Sequence, residues 1–439
     1  METQAANAVE LGKGARFINF GRVITGASNG FKESYNAITL DGAGGTVINR
    51  GTITAGSNGI KVADQGTLLN YGALTGNKGA GLKSKGDAIV VNRGTITGAD
   101  TWRPRQNDGD GDGLDIDRIA HVYNYGTIEG TGANGKDKGG TPNSSEGIAM
   151  GGGEIYNDQN GRIRGAHHGI LVDNGDLGPA HGQTRLMNDG IISGHDGYGV
   201  KLIGNFNDHI TNNGLISGAN GIALDMGEGN DHLVVKNASR FLGHVDGGGG
   251  LNEVSLDDPK GGIFDGSRNT QRLAVQTGVW TLRGAIDDNR DGRVHTGATL
   301  INRSHVGGSL NIEKGATYSG GSVNALNVEG TLQLDLASGA PTHVRDTLRL
   351  ADGASLVQRF NATGDRETLK VGGTATLGDA TLTLNVANEN ALLENYPYPI
   401  LNAGAVHGRF GKITDNLKNL TPTLSYTPTA VYVTFSRKP

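Results

Sequence analysis

Apolar and polar residues alternate one for one in short runs, and the first half of the chain is built from variants of one such run. NRGTITAGSNGIKV, over 49–62, has the relatives NYGALTGNKGAGLKS, NRGTITG, NYGTIEG, NDGIISG and NNGLISGANGIAL. Each copy joins N-x-G-x-[IVL]-x-G to a later G-[IVL]-x-[VIL] step, and in both parts Ile, Val or Leu takes every second place. A period of two marks a strand with one buried face. No stretch between the copies carries the helical period. Aligning the second step puts Ala37, Gly59, Gly81, Gly113, Gly147, Gly169, Gly199 and Gly221 in register. The spacing is about 22 residues, or about 30 to 34 where something is inserted, which is the range of solenoids. One coil per period, stacked by backbone hydrogen bonds, predicts an all-β chain: a right-handed parallel β-helix.

Stacking aligns equivalent residues. Asn49, Asn70, Asn92, Asn124, Asn188 and Asn212 should lie one above another and hydrogen-bond along the stack. The copy NDQNGRIRG at Asn157 carries two extra residues and should be locally distorted. Ile53, Leu74, Ile96, Ile128, Ile163, Ile192 and Ile216 should form an inward row. The Asn-x-Gly tripeptide suits a turn that uses left-handed backbone. Past about residue 260 this signature fades, yet GGSLNIEKGATYS, NALNVEGTLQLDL and RDTLRLADGASLV still read as strands between Gly turns at solenoid spacing. The last residues concentrate Pro, Tyr and Phe, as expected of a cap over an open end. The chain therefore divides into a regular β-helix (1–260), a less regular continuation (261–390) and a C-terminal β-hairpin cap (391–439).

Composition supports this reading. Only 35% of the 439 residues are hydrophobic and 5% aromatic, while 75 are Gly, so the core must be made of small and β-branched side chains. The net charge of -5 has the wrong sign for electrostatic binding of nucleic acid. The absence of Cys excludes disulfides, thiolate metal sites and thiol nucleophiles. No apolar run reaches the length of a membrane span, and METQAANAVELGKG lacks the basic start and apolar stretch of a signal peptide.

An ordered pair of motifs ends the chain: YPILNAGAVHGRF over 398–410, then LTPTLSYTPTAVYVTF over 420–435. This pair resembles the end of bacterial autotransporter passenger domains of the pertactin-like type, and the Asn-x-Gly coils are similar to passengers of the adhesin type. The resemblance implies a passenger segment of a longer precursor, displayed at the outer-membrane surface or secreted. It also implies an outer-membrane β-barrel that would follow, and a C-terminal junction that folds first. A chain without cysteines fits passage through a narrow pore. The function so implied is adhesion, through self-association in cell aggregation or biofilm, or through binding of a host or glycan ligand. The alternative on the same scaffold is a polysaccharide lyase or glycoside hydrolase.

Candidate chemistry is sparse. GASNG over 26–30 has the G-x-S-x-G spacing but sits in a solenoid turn, whereas that elbow needs a strand before it and a helix after it. His167 and His168 share a turn position with His195 and Asp196 in the next coil, a conceivable metal or acid–base pair. Lys83, Asp115, Asp117 and Arg118 form the best carboxylate cluster for an enzyme, but Ala149 and Gly151 above them do not extend it. No catalytic residue is assigned and no enzyme is expected. DGDGDGLDID sets Asp108, Asp110 and Asp112 at the alternate spacing of a calcium loop. Ile119 takes the place of the loop's bidentate acid, so Asp115 or Asp117 would have to substitute. Calcium is the one candidate ligand; no other cofactor is expected. GEGNDHLVV, from Gly227, has the shape of a single calcium-roll repeat, for which a lone copy is only a turn with Asp231 as its cap.

Insertions before Ala37, Gly113 and Gly147 fall at one corner and place variable loops on one edge. One loop carries Trp102 between polar neighbours, with Arg103 and Arg105 beside it, a candidate recognition anchor. The second position of the repeat, Arg50, Tyr71, Arg93 and Tyr125, should form an outward row that alternates guanidinium and phenol, either stabilising the stack or gripping a partner. Thr52, Thr54, Thr75, Thr95, Thr97 and Thr127 flank it.

Overall fold

The computed structural model describes residues 1–3, 6–26, 35–100, 110–133, 142–175 and 177–438. The chain packs as two units, Met1–Leu233 with Ala238–Gly250, and Val234–Asn237 with Leu251–Pro439. Both are built of parallel strands stacked coil on coil, so the fold is an all-β parallel β-helix.

Each full coil of the N-terminal unit contributes one strand to each of three faces. Gly66–Asn70 lies on the first face, Ala73–Gly76 on the second and Leu82–Ser84 on the third. The next coil repeats this with Ala88–Asn92, Thr95–Asp100 and Leu114–Ile116, pairing Leu68 with Val90, Leu74 with Ile96 and Leu82 with Leu114. Ile53, Leu74, Ile96, Ile128, Ile163, Ile192 and Ile216 form one inward row, each 0% exposed. Alternation along the strand thus becomes a continuous apolar column across the coils.

The corner between the first and second faces is held by a buried ladder of asparagines. Asn19 donates to Asn49, and so on through Asn70, Asn92, Asn124, Asn157 and Asn188 to Asn212, at Nδ2–Oδ1 distances of 2.8–2.9 Å. Asn157 is a full member, contrary to the distortion expected there. Its two extra residues are taken up beyond the ladder in the turn over 158–161, where the Gly161 amide donates to the Asp158 carbonyl, and Arg162 regains register with Thr127.

The glycines of this tripeptide serve a different purpose from the one the turn chemistry suggests. Gly51, Gly72, Gly94 and Gly126 are not left-handed. A Cβ on Gly72 would lie 2.0 Å from the Gly51 carbonyl oxygen, and one on Gly126 2.1 Å from that of Gly94. Close approach of successive backbones excludes any side chain here. A second correction concerns Gly221: the register pairs Val200 with Leu224, so Ala223 stands on Gly199. The step from Gly218 to Ala223 is as long as that from Gly194 to Gly199, whereas Gly221 would cut the corner short.

The C-terminal unit stacks two strands per coil, for example Thr299–Asn302 under Thr317–Ser319, and His305–Ile312 under Ser322–Val328. Its longer strands bend at register shifts, and single buried asparagines hold some of the corners: Asn289 donates to the Gly307 and Ser309 carbonyls, and Asn302 to the Ser322 carbonyl. The parallel order ends at Tyr398–Gly408, which pairs antiparallel with Ala430–Arg437; that strand in turn forms a hairpin with Leu420–Tyr426. Val431, Val433 and Phe435 are buried beneath the hairpin.

Candidate functional site

The first face of the N-terminal unit carries three outward rows. Nearest the asparagine corner are Arg50, Tyr71, Arg93, Tyr125, Asp158, Asp189 and Asn213, each of whose amides donates to the ladder residue one coil back. The Arg50 guanidinium lies 4.6 Å from the Tyr71 ring centre and that of Arg93 4.2 Å from the Tyr125 ring, so the alternation of cation and phenol read in the sequence is present. Beyond Tyr125 the row turns acidic.

The middle row is apolar: Ile18, Ile48, Leu69, Val91, Tyr123, Tyr156 and Met187 in register, followed by Thr211. Ile18 is 42% exposed and Met187 45%. The third row holds Thr46, Thr67, Ile89, His121, Glu154 and Arg185, with His121 and Glu154 paired at 3.4 Å. The signal for the middle row is in the sequence: the pairs VI, LL, VV, VY, IY and LM directly before each Asn break the alternation. The first of each pair points in and the second out. A contiguous apolar row on an outer face is what a partner surface requires.

The second candidate region lies at the corner below the third face. Oxygens of Asp110, Asp112 and Asp115 all come within 4.8 Å of one another. Asp115 pairs with Lys83 across the strand register. Asp112 is buried and accepts the Glu146 amide at 2.7 Å. Burial, reinforced by Glu146, Asp115 and Asp110, drives the Asp112 carboxyl well above the usual range, and burial pushes Glu146 up to about 7. Asp117 is raised by burial and then by Asp115, but it stands outside the oxygen cluster. Glu146 also stands outside that oxygen cluster, but its carboxyl lies against that of Asp112; loop spacing missed it because it comes from the following coil.

Trp102, Arg103, Arg105 and Asp108 lie outside the described residues, as does most of GASNG. Of the group formed by His167, His168, His195 and Asp196, the contact made across the coils is that of His167 Nδ1 with Asp196, at 2.5 Å. His168 is buried with its Nδ1 accepting the Tyr198 amide at 3.0 Å, and burial then pulls it down to about 3, so it is a neutral structural acceptor. Lys83 and Asp115 form an ion pair whose neighbour above is Ala149, so no row of carboxylates extends from them. On the second face the threonine rows give way to Glu129, Arg162 and Arg164. Asp231 accepts the buried amide of Asp208 at 2.7 Å, tying two coils together as well as ending its turn. The chain matches no family model and none of the curated proteins it was compared with.

Asp208 and Asp231 give a testable dependence on pH. Burial pushes Asp208 up to about 6, and it pushes Asp231 up to about 8 against the opposing Asp208 amide, with the Asp208 and Glu228 charges adding to the rise. Both folded values exceed the unfolded ones, so the native state holds more protons between them and stability falls as pH rises from about 4 to about 8. Asp231→Asn keeps the acceptor but carries no charge. It is expected to unfold at a higher temperature than the parent at about pH 8 and to lose that advantage near about pH 4. Parallel melting curves for the two proteins would contradict the assignment.

Proposed function

We propose that this chain is a passenger-type β-helix displayed at or released from a bacterial surface, and that it acts as an adhesin by binding a second copy through its first face. The observation that supports this reading is the apolar row flanked by a row whose charge changes sign along the stack. A second copy related by a two-fold axis parallel to the strands meets these rows in reverse order. Arg50 then faces Asp189, Tyr71 faces Asp158 and Arg93 faces Tyr125, while Ile48 meets Met187, Leu69 meets Tyr156 and Val91 meets Tyr123. The surface is thus complementary to itself, as a two-fold interface must be.

Six coils about 4.8 Å apart, with strands about 17 Å long, offer roughly 500 Å² per copy. A stable complex covers about 800 Å² per partner. A single contact is therefore weak, and firm adhesion comes from many copies engaged between two surfaces. Sedimentation velocity over a wide concentration range is expected to show a reversible dimer. Arg50→Glu alone and Asp189→Arg alone should each remain monomeric, and an equimolar mixture of the two should dimerise again. Monomers at every concentration for the parent chain would overturn self-association in favour of a foreign protein or glycan ligand.

A further inference from the structure

Four carboxyl groups converge on one corner of the N-terminal unit. Asp110, Asp112 and Asp115 bring oxygens within 4.8 Å of one another, and the Glu146 carboxyl lies against that of Asp112. Asp112 and Glu146 are each 2% exposed. Glu146 reaches the cluster because its backbone amide is fixed on Asp112 Oδ1, which sets the next coil directly over the loop. Its Oε1 atom is sealed from solvent and has no hydrogen-bond partner. An acceptor in that condition costs free energy unless something positive meets it.

Among the described residues, the cations nearest this corner are already engaged. Lys83 is committed to Asp115, and His167, the other ionisable base acting on Glu146, is paired with Asp196. Among the described residues one ammonium, Lys83, faces four carboxyls, of which Asp112 and Glu146 are shut off from water.

The geometry points to a divalent-cation site, of the kind calcium occupies, formed by Asp110, Asp112, Asp115 and Glu146. All four donors are carboxylate oxygens, which select a hard cation; the absence of His and Cys from the set disfavours zinc and the softer metals. Irregular placement from a loop, a strand and the next coil suits calcium better than the strict octahedron of magnesium. The loop spacing alone left the closing acid missing at Ile119. Glu146, sealed from solvent against Asp112, fills that role from the adjacent coil, whereas Asp117, which lies against Asp115, is only half-buried and is left out of the set. Bound there, the ion would join two consecutive coils at the corner from which both long loops leave. This site is independent of the association proposed above.

The test uses the full chain, freed of metal with a chelator, in titration calorimetry with CaCl2 and in thermal unfolding. One site is expected, with a rise in unfolding temperature on adding calcium and a smaller one with MgCl2. Glu146→Gln and Asp110→Asn should each weaken calcium binding about tenfold or more, while Asp117→Asn leaves it unchanged. Asp110 is part exposed, so Asp110→Asn gives a readout even if a change at the buried Glu146 impairs folding. Terbium luminescence, titrated against calcium, gives the same comparison spectroscopically. Neither heat nor stabilisation up to about 10 mM calcium would overturn the site, as would equal calcium affinity in the parent, Asp110→Asn and Glu146→Gln.

Discussion

Asn124→Ala is expected to remove about 3–5 kcal/mol from the stability of the N-terminal unit, far more than any exposed substitution in the same coil. The Asn124 side chain uses its whole hydrogen-bonding capacity. Its Nδ2 donates to Asn157 Oδ1 at 2.8 Å, to the Gly126 carbonyl at 3.1 Å and to the Arg162 carbonyl at 3.3 Å. Its Oδ1 accepts from Asn92 at 2.9 Å and from the Gly126 amide at 3.3 Å. Alanine takes a partner from a buried oxygen above, from a buried amide group below and from the backbone of the corner itself, and the site is 0% exposed. Asn124→Asp should be worse, because it exchanges the donor to Asn157 for a carboxylate oxygen aimed at another oxygen. Urea unfolding of the two variants beside Thr127→Ala provides the comparison, with Thr127→Ala within about 0.5 kcal/mol of the parent. A loss below about 1 kcal/mol in Asn124→Ala would mean that the ladder only decorates a stack held by its backbone and its isoleucines. Position along the ladder matters too. Among the described residues Asn19 meets one ladder neighbour, Asn49, so in this chain Asn19→Ala should cost less than the same change at Asn124.

The ladder also marks where the sequence could be read and where it could not. A strand period of two needs no knowledge of the partner strand, so Ile53 through Ile216 could be assigned to the core from the sequence alone. Asn157 could not be placed so easily. Whether two extra residues distort the ladder or pass into the turn beyond it depends on where the next strand regains register, and that is a property of the stack. Gly221 failed for a related reason: a Gly-Ile pair looked like the step, while the length of the corner selected Ala223. The candidate sites divide in the same way. Arg50, Tyr71, Arg93 and Tyr125 repeat at a fixed position beside Asn, so their stacking followed from the repeat. The apolar row beside them was visible as doubled apolar residues before each Asn, a break in alternation that has meaning only once the inner residue of each pair is known. Glu146 was illegible. It meets Asp112 across an insertion whose length hides the register.

Removing 391–439 is expected to leave a chain that does not refold, the largest single effect anticipated here. The strand Tyr398–Gly408 covers Leu369–Leu377, and Lys412–Asp415 covers Thr381–Val386. Without them Leu369, Ala375, Leu377, Leu382 and Leu384, all nearly inaccessible in the full chain, would face solvent. At about 1.5–3 kcal/mol for each large side chain, that exposure rivals the whole net stability of a domain, about 5–15 kcal/mol. The uncovered strand would also present a row of unpaired amides and carbonyls that invites aggregation.

A point substitution separates stability from order of folding. Phe435 lies with its ring centre 5.7 Å from those of Phe360 and Tyr398, while Tyr398 carries the Arg366 guanidinium 4.7 Å from its ring and accepts the Leu393 amide at 2.6 Å. Phe435→Ala empties the centre of this cluster at a cost of about 3–5 kcal/mol. The hairpin joins residues close in sequence, Tyr426 with Val431 and Leu420 with Arg437, whereas every parallel coil must first close a longer loop. If the cap forms first and templates the coils, the loss in Phe435→Ala should appear mainly as slower refolding. Ile96→Ala, deep in the regular coils, should lose comparable stability mainly through faster unfolding. Stopped-flow or manual-mixing refolding of the two variants reads this directly. A Phe435→Ala chain that refolds at the parental rate and unfolds faster would place the cap late in folding, as a lid closed over coils already built.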